Sequence, residues 1–133
     1  MRGKPLRHLL CAEDDPDLRM ILEAALGFGG LDAVIFESGV EALAHIKDKG
    51  HTPDLILLDV MMPGLDGPET LLAMRKLPKT AHTPVIFVTA RVQPSEVQAY
   101  LDLGAIAVIA KPFDPATLAN RIRDIWREHG GVA

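Results

Sequence analysis

The sequence predicts an α/β fold: one domain built on a doubly wound, five-stranded parallel sheet with helices on both faces. Two observations carry that expectation. Short apolar runs alternate with amphipathic stretches along the whole chain, each bounded by Gly, Pro or acidic residues. The runs Leu55-Ile56-Leu57-Leu58 and Val85-Ile86-Phe87-Val88 are apolar throughout rather than alternating, as strands buried on both faces of a parallel sheet must be. At 133 residues, the chain is expected to form a single domain over 1–133 with no effector domain attached.

The elements follow in order. Leu6 to Ala12 reads as the first strand and runs straight into Glu13-Asp14-Asp15. Asp15-Pro16 supplies an N-cap and a first-turn Pro for a helix whose apolar stripe is Leu18, Ile21, Leu22 and Ala25, and Gly27, Gly29 and Gly30 stop it. Ala33 to Phe36 is the second strand. Ser38 and Glu41 form a capping box for a helix turning Val40, Leu43, Ala44 and Ile46 inward, closed by Gly50. The third strand ends at Asp59, and a helix from about Pro68 to Leu77 contributes Leu71, Leu72 and Met74 to the core before a polar loop, Lys76 to Thr83. Pro84 to Val88 is the fourth strand, ending at Thr89; Pro94 then starts a helix, Pro94 to Leu103, that packs Val97, Leu101 and part of Tyr100. Ala107 to Ala110 is the fifth, ending at Lys111-Pro112. Asp114-Pro115 repeats the capped start for a last helix with Leu118, Ile122, Ile125 and Trp126, ended by Gly130 and Gly131.

Composition excludes several classes. A formal net charge of -4, with 14 Lys and Arg scattered singly, offers no basic stripe for a nucleic-acid backbone. The apolar stretch Leu9 to Ala12 is cut off by acids far too early for a signal peptide, and no run approaches membrane-spanning length. The single Cys11 reads as a buried, inert thiol, in keeping with a reducing cytoplasm. His8, His45, His51, His82 and His129 show no metal-ligand spacing and read as surface or loop residues, and Met61-Met62 reads as gap-filling packing.

What remains is the chemistry at the strand ends. A parallel sheet brings the carboxyl ends of its strands to one rim, where ligands bind in open α/β folds. That rim would collect Glu13 and Asp14 from the first strand, Asp59 from the third, Thr89 from the fourth and Lys111 from the fifth. Three carboxylates at one place repel one another unless a cation joins them, and an all-oxygen set suits Mg²⁺. Lys111 adds a compact positive charge and Thr89 a hydroxyl donor, which an anion arriving at Asp59 would need. The reading is an aspartyl phosphate on Asp59.

The motifs Glu13-Asp14-Asp15, Leu58-Asp59-Val60-Met61-Met62-Pro63-Gly64-Leu65-Asp66-Gly67, Val88-Thr89-Ala90 and Lys111-Pro112-Phe113 together resemble those of two-component response-regulator receiver domains over nearly the whole chain. The resemblance implies a flavodoxin-like strand order of 2-1-3-4-5. It implies a phosphoacceptor switch rather than an enzyme, one that takes a phosphoryl group from a histidine kinase or histidine phosphotransfer protein onto Asp59 and assists its own phosphorylation and slow dephosphorylation. It further implies Mg²⁺ held by Asp14, Asp59 and the Met61 backbone carbonyl, with Glu13 reached through water, and a cis Lys111-Pro112 bond.

One departure from the family pattern matters. The aromatic residue that turns inward with the Thr in similar receivers stands three residues before the Lys, and here that position is Val108. Switching is then expected through Thr89, the loop carrying Ala90 and Arg91, or repacking of the Pro94 to Leu103 helix. Ile106 and Ala107 replace an acidic pair frequent in the family. With Tyr100 they mark either a surface for an effector or a homodimer, or a satisfied edge of the core. Two alternatives stand beside the switch: a phosphorylation-independent interaction module, and an Asp phosphatase, against which Met61 occupies the place of the second Asp such enzymes use.

Overall fold

The computed structural model describes residues 4–49 and 52–130. Five strands, β1 (His8–Ala12), β2 (Asp32–Phe36), β3 (Leu55–Asp59), β4 (Val85–Thr89) and β5 (Ala107–Ala110), alternate with five helices, α1 (Pro16–Phe28), α2 (Gly39–Lys49), α3 (Gly67–Arg75), α4 (Pro94–Leu103) and α5 (Leu118–Glu128). All strand pairs are parallel, and the order is β2-β1-β3-β4-β5. β3 and β4 lie at the centre with every residue buried, whereas β2 and β5 are edges and only half-buried.

Side chains leave a strand alternately to its two faces, which divides the core in two. Leu9, Cys11, Leu57, Ile86 and Val88 point to the face covered by α1 and α5, where Trp126 and Leu26 are buried. Leu10, Ile56, Leu58 and Phe87 point to the face covered by α2, α3 and α4. No helix of the described residues is long and apolar enough to cross a membrane.

Several expected element details are corrected by the structure. Ile21, Val40, Ala44, Leu72 and Leu101 face outward, and Leu26, Ala42 and Thr70 occupy the buried arcs instead. The cause is helical phase: residues one or two positions from a buried one lie about 100° or 200° round the axis. In α2, for instance, Val40 and Ala44 both sit two residues from Ala42, so burying Ala42 turns both away. α4 buries no residue fully and rests on the sheet through half-buried Val97 and Tyr100.

Several boundaries also shift: β1 begins at His8 rather than Leu6, and α3 ends at Arg75 rather than Leu77. α1 runs through Gly27 and ends at Gly29 and the left-handed Gly30, φ 79°. α3 opens at Gly67, because Asp66 and Glu69 form a reciprocal capping box. Asp114 does not cap α5: its carboxylate and carbonyl close a turn onto Ala116 and Thr117, and the helical ladder begins only with Arg121 bonded to Thr117. Within the expected polar loop, Pro78–Thr80 forms a short 3-10 turn, and the buried Thr80 hydroxyl donates to the Met74 carbonyl. Ser38 Oγ accepts from Glu41 N as expected, but the Glu41 carboxylate accepts from Glu37 N, one residue earlier than a capping box requires. The Gly50 and Gly131 stops and His51 lie outside the described residues.

Candidate functional site at the carboxyl edge of the sheet

Each predicted site residue sits at or just past a strand end, and register explains why they converge. Ala12 pairs with Leu58, so Glu13 follows β1 level with Asp59; Asp59 pairs with Val88 and Thr89 with Ala110, one step before Lys111. Lys111 Nζ lies 2.8 Å from Glu13 Oε1 and 2.9 Å from Asp59 Oδ1. Glu13 and Asp59 are buried, and each offers a carboxylate oxygen within 4.8 Å of one from Asp14, which is open to solvent. Among the described residues this is the one His, Cys, Asp and Glu cluster with metal-ligand spacing.

The backbone holds the cluster in place. Glu13 N donates to Phe36 O at 2.9 Å, and Glu13 Oε2 accepts from Asp15 N at 3.1 Å. Asp15 in turn caps α1, its Oδ1 accepting from Asp17 N at 2.8 Å. Arg19, not foreseen from sequence, donates from Nη1 to the Glu13 and Asp14 carbonyls, both at 2.9 Å, and clamps the loop to the first turn of α1. Nothing in the periodicity marks it, since a surface Arg in a first turn is ordinary. Behind Asp59, Gly67 N donates to Val60 O at 2.9 Å, so α3 begins hard against the end of β3.

Burial pushes the Asp59 carboxyl up to about 7; the Lys111 ammonium pulls it back, while Glu13 and Asp14 push it the same way as burial. Burial acts to depress the Lys111 ammonium, but its bonds to Glu13 and Asp59 outweigh this and raise it. Three carboxylates against one ammonium leave two negative charges when all are ionised. A hard, oxygen-preferring divalent cation matches both that charge and that donor set.

Thr89 is buried, and its Oγ accepts from Arg91 N at 3.0 Å, which leaves the hydroxyl proton free to donate. The Met61 side chain is exposed, so the position contributes backbone alone, its N–H reaching Asp59 Oδ1 at 3.4 Å; Met62 is the buried member of the pair. The Lys111–Pro112 bond is cis. Cys11 is fully buried and burial pushes its thiol up to about 12, as befits an inert thiol. His8, His82 and His129 are exposed; His45 is half-buried and packs against Phe36 with ring centroids 4.9 Å apart and the planes tilted by 43°.

Comparison with known proteins agrees with this arrangement. The family model described as the response regulator receiver domain matches residues 9–123. The chain is 37% identical over 123 residues to the uncharacterized transcriptional regulatory protein YkoG of Bacillus subtilis, covering 92% of this chain and 52% of that protein. It is 38% identical over 122 residues to the transcriptional regulatory protein CpxR of Escherichia coli, covering 92% of this chain and 50% of CpxR. The chain therefore spans about half the length of the curated relatives it matches. Among solved structures it is similar to the chemotaxis response regulator CheY4 of Vibrio cholerae, with TM-score 0.81, 28% identity, and coverage of 91% of this chain and 99% of that one. The receiver domain of the Francisella response regulator 1452 gives TM-score 0.80 at 28% identity, covering 92% and 98%.

Proposed function

Because this chain belongs to the response regulator receiver family of two-component signalling, we propose that it is a phosphoacceptor switch whose acceptor is Asp59. Receiver domains are signalling domains rather than enzymes. The observation that carries the proposal is the convergence of Glu13, Asp14 and Asp59 on one edge with Lys111 bridging Glu13 and Asp59 at 2.8 and 2.9 Å. On this reading, residues 1–133 act as one receiver unit in the cytoplasm.

In the proposed step a lone pair of the Asp59 carboxylate forms an O–P bond to a phosphohistidine, from a histidine kinase or a histidine phosphotransfer protein. The P–N bond breaks and its electrons return to the ring, which is protonated on its other nitrogen and therefore leaves as neutral imidazole. Lys111 stabilises negative charge growing on the phosphoryl oxygens, and the Thr89 hydroxyl donates to one of them. Asp14, Asp59 and the Met61 carbonyl would hold Mg²⁺, with Glu13 reached through water; the ion would supply charge neutralisation at the same oxygens. The half-buried edge of β5 and α4, with Tyr100 and Ile106, then reports the change to an effector or a second copy.

The test is intact mass and an amide NMR spectrum after adding Mg²⁺ and acetyl phosphate to wild type and Asp59→Asn. One phosphoryl group on wild type alone, with shifts reaching Pro94–Leu103, is the expected result. The second reading, a phosphorylation-independent interaction module, is favoured by Val108 standing where the switch aromatic is expected. An unmodified wild type would replace the first reading with that one.

A further inference from the structure

Arg19 takes no part in the chemistry proposed for Asp59, yet its side chain is tied to the loop that carries the acids. Nη1 donates to the Glu13 and Asp14 carbonyls, both at 2.9 Å, and the side chain is only 25% exposed. One guanidinium nitrogen carries two N–H groups, enough for one bond to each. The Glu13 carbonyl lies in the peptide plane that enters Asp14 Cα, and the Asp14 carbonyl lies in the plane that leaves it. Because each peptide unit is planar, holding both oxygens fixes the two soft dihedrals of Asp14.

Asp14 is the member of the acidic cluster that needs such a hold. Glu13 is buried, with its N bonded to Phe36 O and its carboxylate shared between Asp15 N and Lys111. Asp59 ends the fully buried strand β3 and is bonded to Lys111. Asp14 is the one carboxylate of the three that is not buried. Its backbone therefore decides where its short side chain can reach. The other contact of Arg19, Nη2 to Glu37 Oε2, is long at 3.8 Å and its acid is 64% exposed, so that pair contributes little.

We propose that Arg19 is a positioning residue for the cation site, pinning the peptide planes on both sides of Asp14 so that this carboxylate meets the same ion as Asp59. The inference rests on the reading of Glu13, Asp14 and Asp59 as a Mg²⁺ site. Groups that orient ligands without touching the metal change its affinity by about 10- to 100-fold when removed. Charge acts in the opposite sense. A guanidinium beside a cation site repels the cation, so by charge alone its loss would tighten binding. By positioning, its loss weakens binding, and the sign of the change separates the two.

The test is a titration of the full chain with Mg²⁺ alone, followed by amide NMR, on wild type, Arg19→Met, Arg19→Lys and Glu37→Gln, with circular dichroism checking each fold. Arg19→Met should weaken Mg²⁺ binding about tenfold, and Arg19→Lys, which keeps the charge but replaces the planar fork with one flexible ammonium, about threefold. Glu37→Gln should stay within about twofold of wild type. Phosphorylation of Arg19→Met by acetyl phosphate should be slow at low Mg²⁺ and return to within about threefold of wild type once Mg²⁺ saturates, the mark of lost ground-state binding. If Arg19→Met does not fold, Arg19→Lys carries the same comparison. Arg19 variants that bind Mg²⁺ as tightly as wild type, or more tightly, would overturn the proposal. So would a Glu37→Gln protein that loses as much as Arg19→Met, or a rate that saturating Mg²⁺ does not restore. A wild type in which Mg²⁺ shifts no amide near Glu13, Asp14 or Asp59 would overturn the Mg²⁺ site itself, a different failure from the loss of Arg19's role alone.

Discussion

The tightest constraint behind Asp59, the proposed phosphoacceptor, is a contact between backbones. A Cβ built on Gly67 would lie 2.7 Å from the Asp59 carbonyl oxygen and 2.8 Å from Val60 Cα. Both neighbours are main-chain atoms fixed by the sheet, since Val60 N donates to Val88 O at 3.2 Å. Gly67→Ala therefore forces the end of β3 and the start of α3 apart by about 0.7–1 Å to reach ordinary contact distance. Helix propensity favours Ala over Gly by about 0.5–1 kcal/mol. Overpacking against rigid backbone costs about 1–3 kcal/mol and wins. The expected net loss is about 1–2 kcal/mol, a fall of roughly 3–7 °C in Tm for a chain of this size.

The same displacement moves Asp59 relative to Lys111. Misplacing a reacting group by about 1 Å costs on the order of 100-fold in rate, so phosphorylation by acetyl phosphate should slow roughly 10- to 100-fold. Calorimetry gives the first number, and the rate of mass gain in saturating Mg²⁺ gives the second. A Gly67→Ala protein with unchanged or higher Tm and wild-type phosphorylation would refute the claim that the α3 start buttresses Asp59.

Lys111→Met should destabilise the metal-free protein by roughly 3 kcal/mol at pH 8, by leaving Glu13 and Asp59 buried without their cation. The sign follows from the Asp59 carboxyl lying near 7, above its ordinary value: stability tied to its protonated form is present at low pH and lost as pH rises through 7. Urea unfolding in chelator should thus show a larger loss at pH 8 than at pH 6, and an equal loss at both would contradict the assignment. Asp54 behaves oppositely: burial raises its carboxyl, but hydrogen bonds from Lys4, His8 N and Arg7 N outweigh that and hold it low. Its contribution is present above the ordinary carboxylate range and lost as pH falls through the depressed value. Asp54→Ala should cost about 1–3 kcal/mol at pH 7, with the gap to wild type narrowing in acid melts. Tyr100 packs edge-on against Phe87, ring centroids 5.4 Å apart, two residues before Thr89 on the same strand. Tyr100→Ala should leave Asp59 phosphorylation intact but abolish amide shifts in α4 beyond Val97, and unaltered shifts would remove Tyr100 from the route. Cys11 should resist iodoacetamide in the native protein and react only on unfolding, which a mass shift under native conditions would disprove.

The strands and the site were legible because both depend on features that sequence displays directly. Continuous apolar runs mark strands covered on two faces, and polar residues placed just after such runs must gather at one edge of a parallel sheet. Asp59, Thr89 and Lys111 needed no more than that. Helix faces were less legible because α1 carries apolar residues on both sides: Ile21 and Leu22 are neighbours in sequence, yet Leu22 is buried and Ile21 exposed. Spacing gives the period of a helix but not its phase when two phases both look apolar. Arg19 was hidden for a different reason, since its partners are carbonyls and carbonyls have no sequence signature. The Asp66–Glu69 capping box was readable in principle but was overshadowed by the adjacent Gly67-Pro68.

On the proposed reading, the site's remaining donors would let one pocket serve an acid and then a phosphorylated acid. Like charges about 4–5 Å apart near a protein surface repel by roughly 3–4 kcal/mol per pair, and the rigid strand ends prevent Glu13, Asp14 and Asp59 from moving apart. An aspartyl phosphate would add negative charge to a pocket that already carries an excess, so it persists only where unspent donors meet its oxygens. Lys111 uses two of its three N–H groups on Glu13 and Asp59. Thr89 accepts from Arg91 N and still holds its own proton. A phosphoryl group on Asp59 would draw both, pulling Lys111 off its carboxylates and turning Thr89 against its bond to the Arg91 backbone. The loop between β4 and α4 would feel that second change first, and it leads into α4, which has no fully buried residue to resist it.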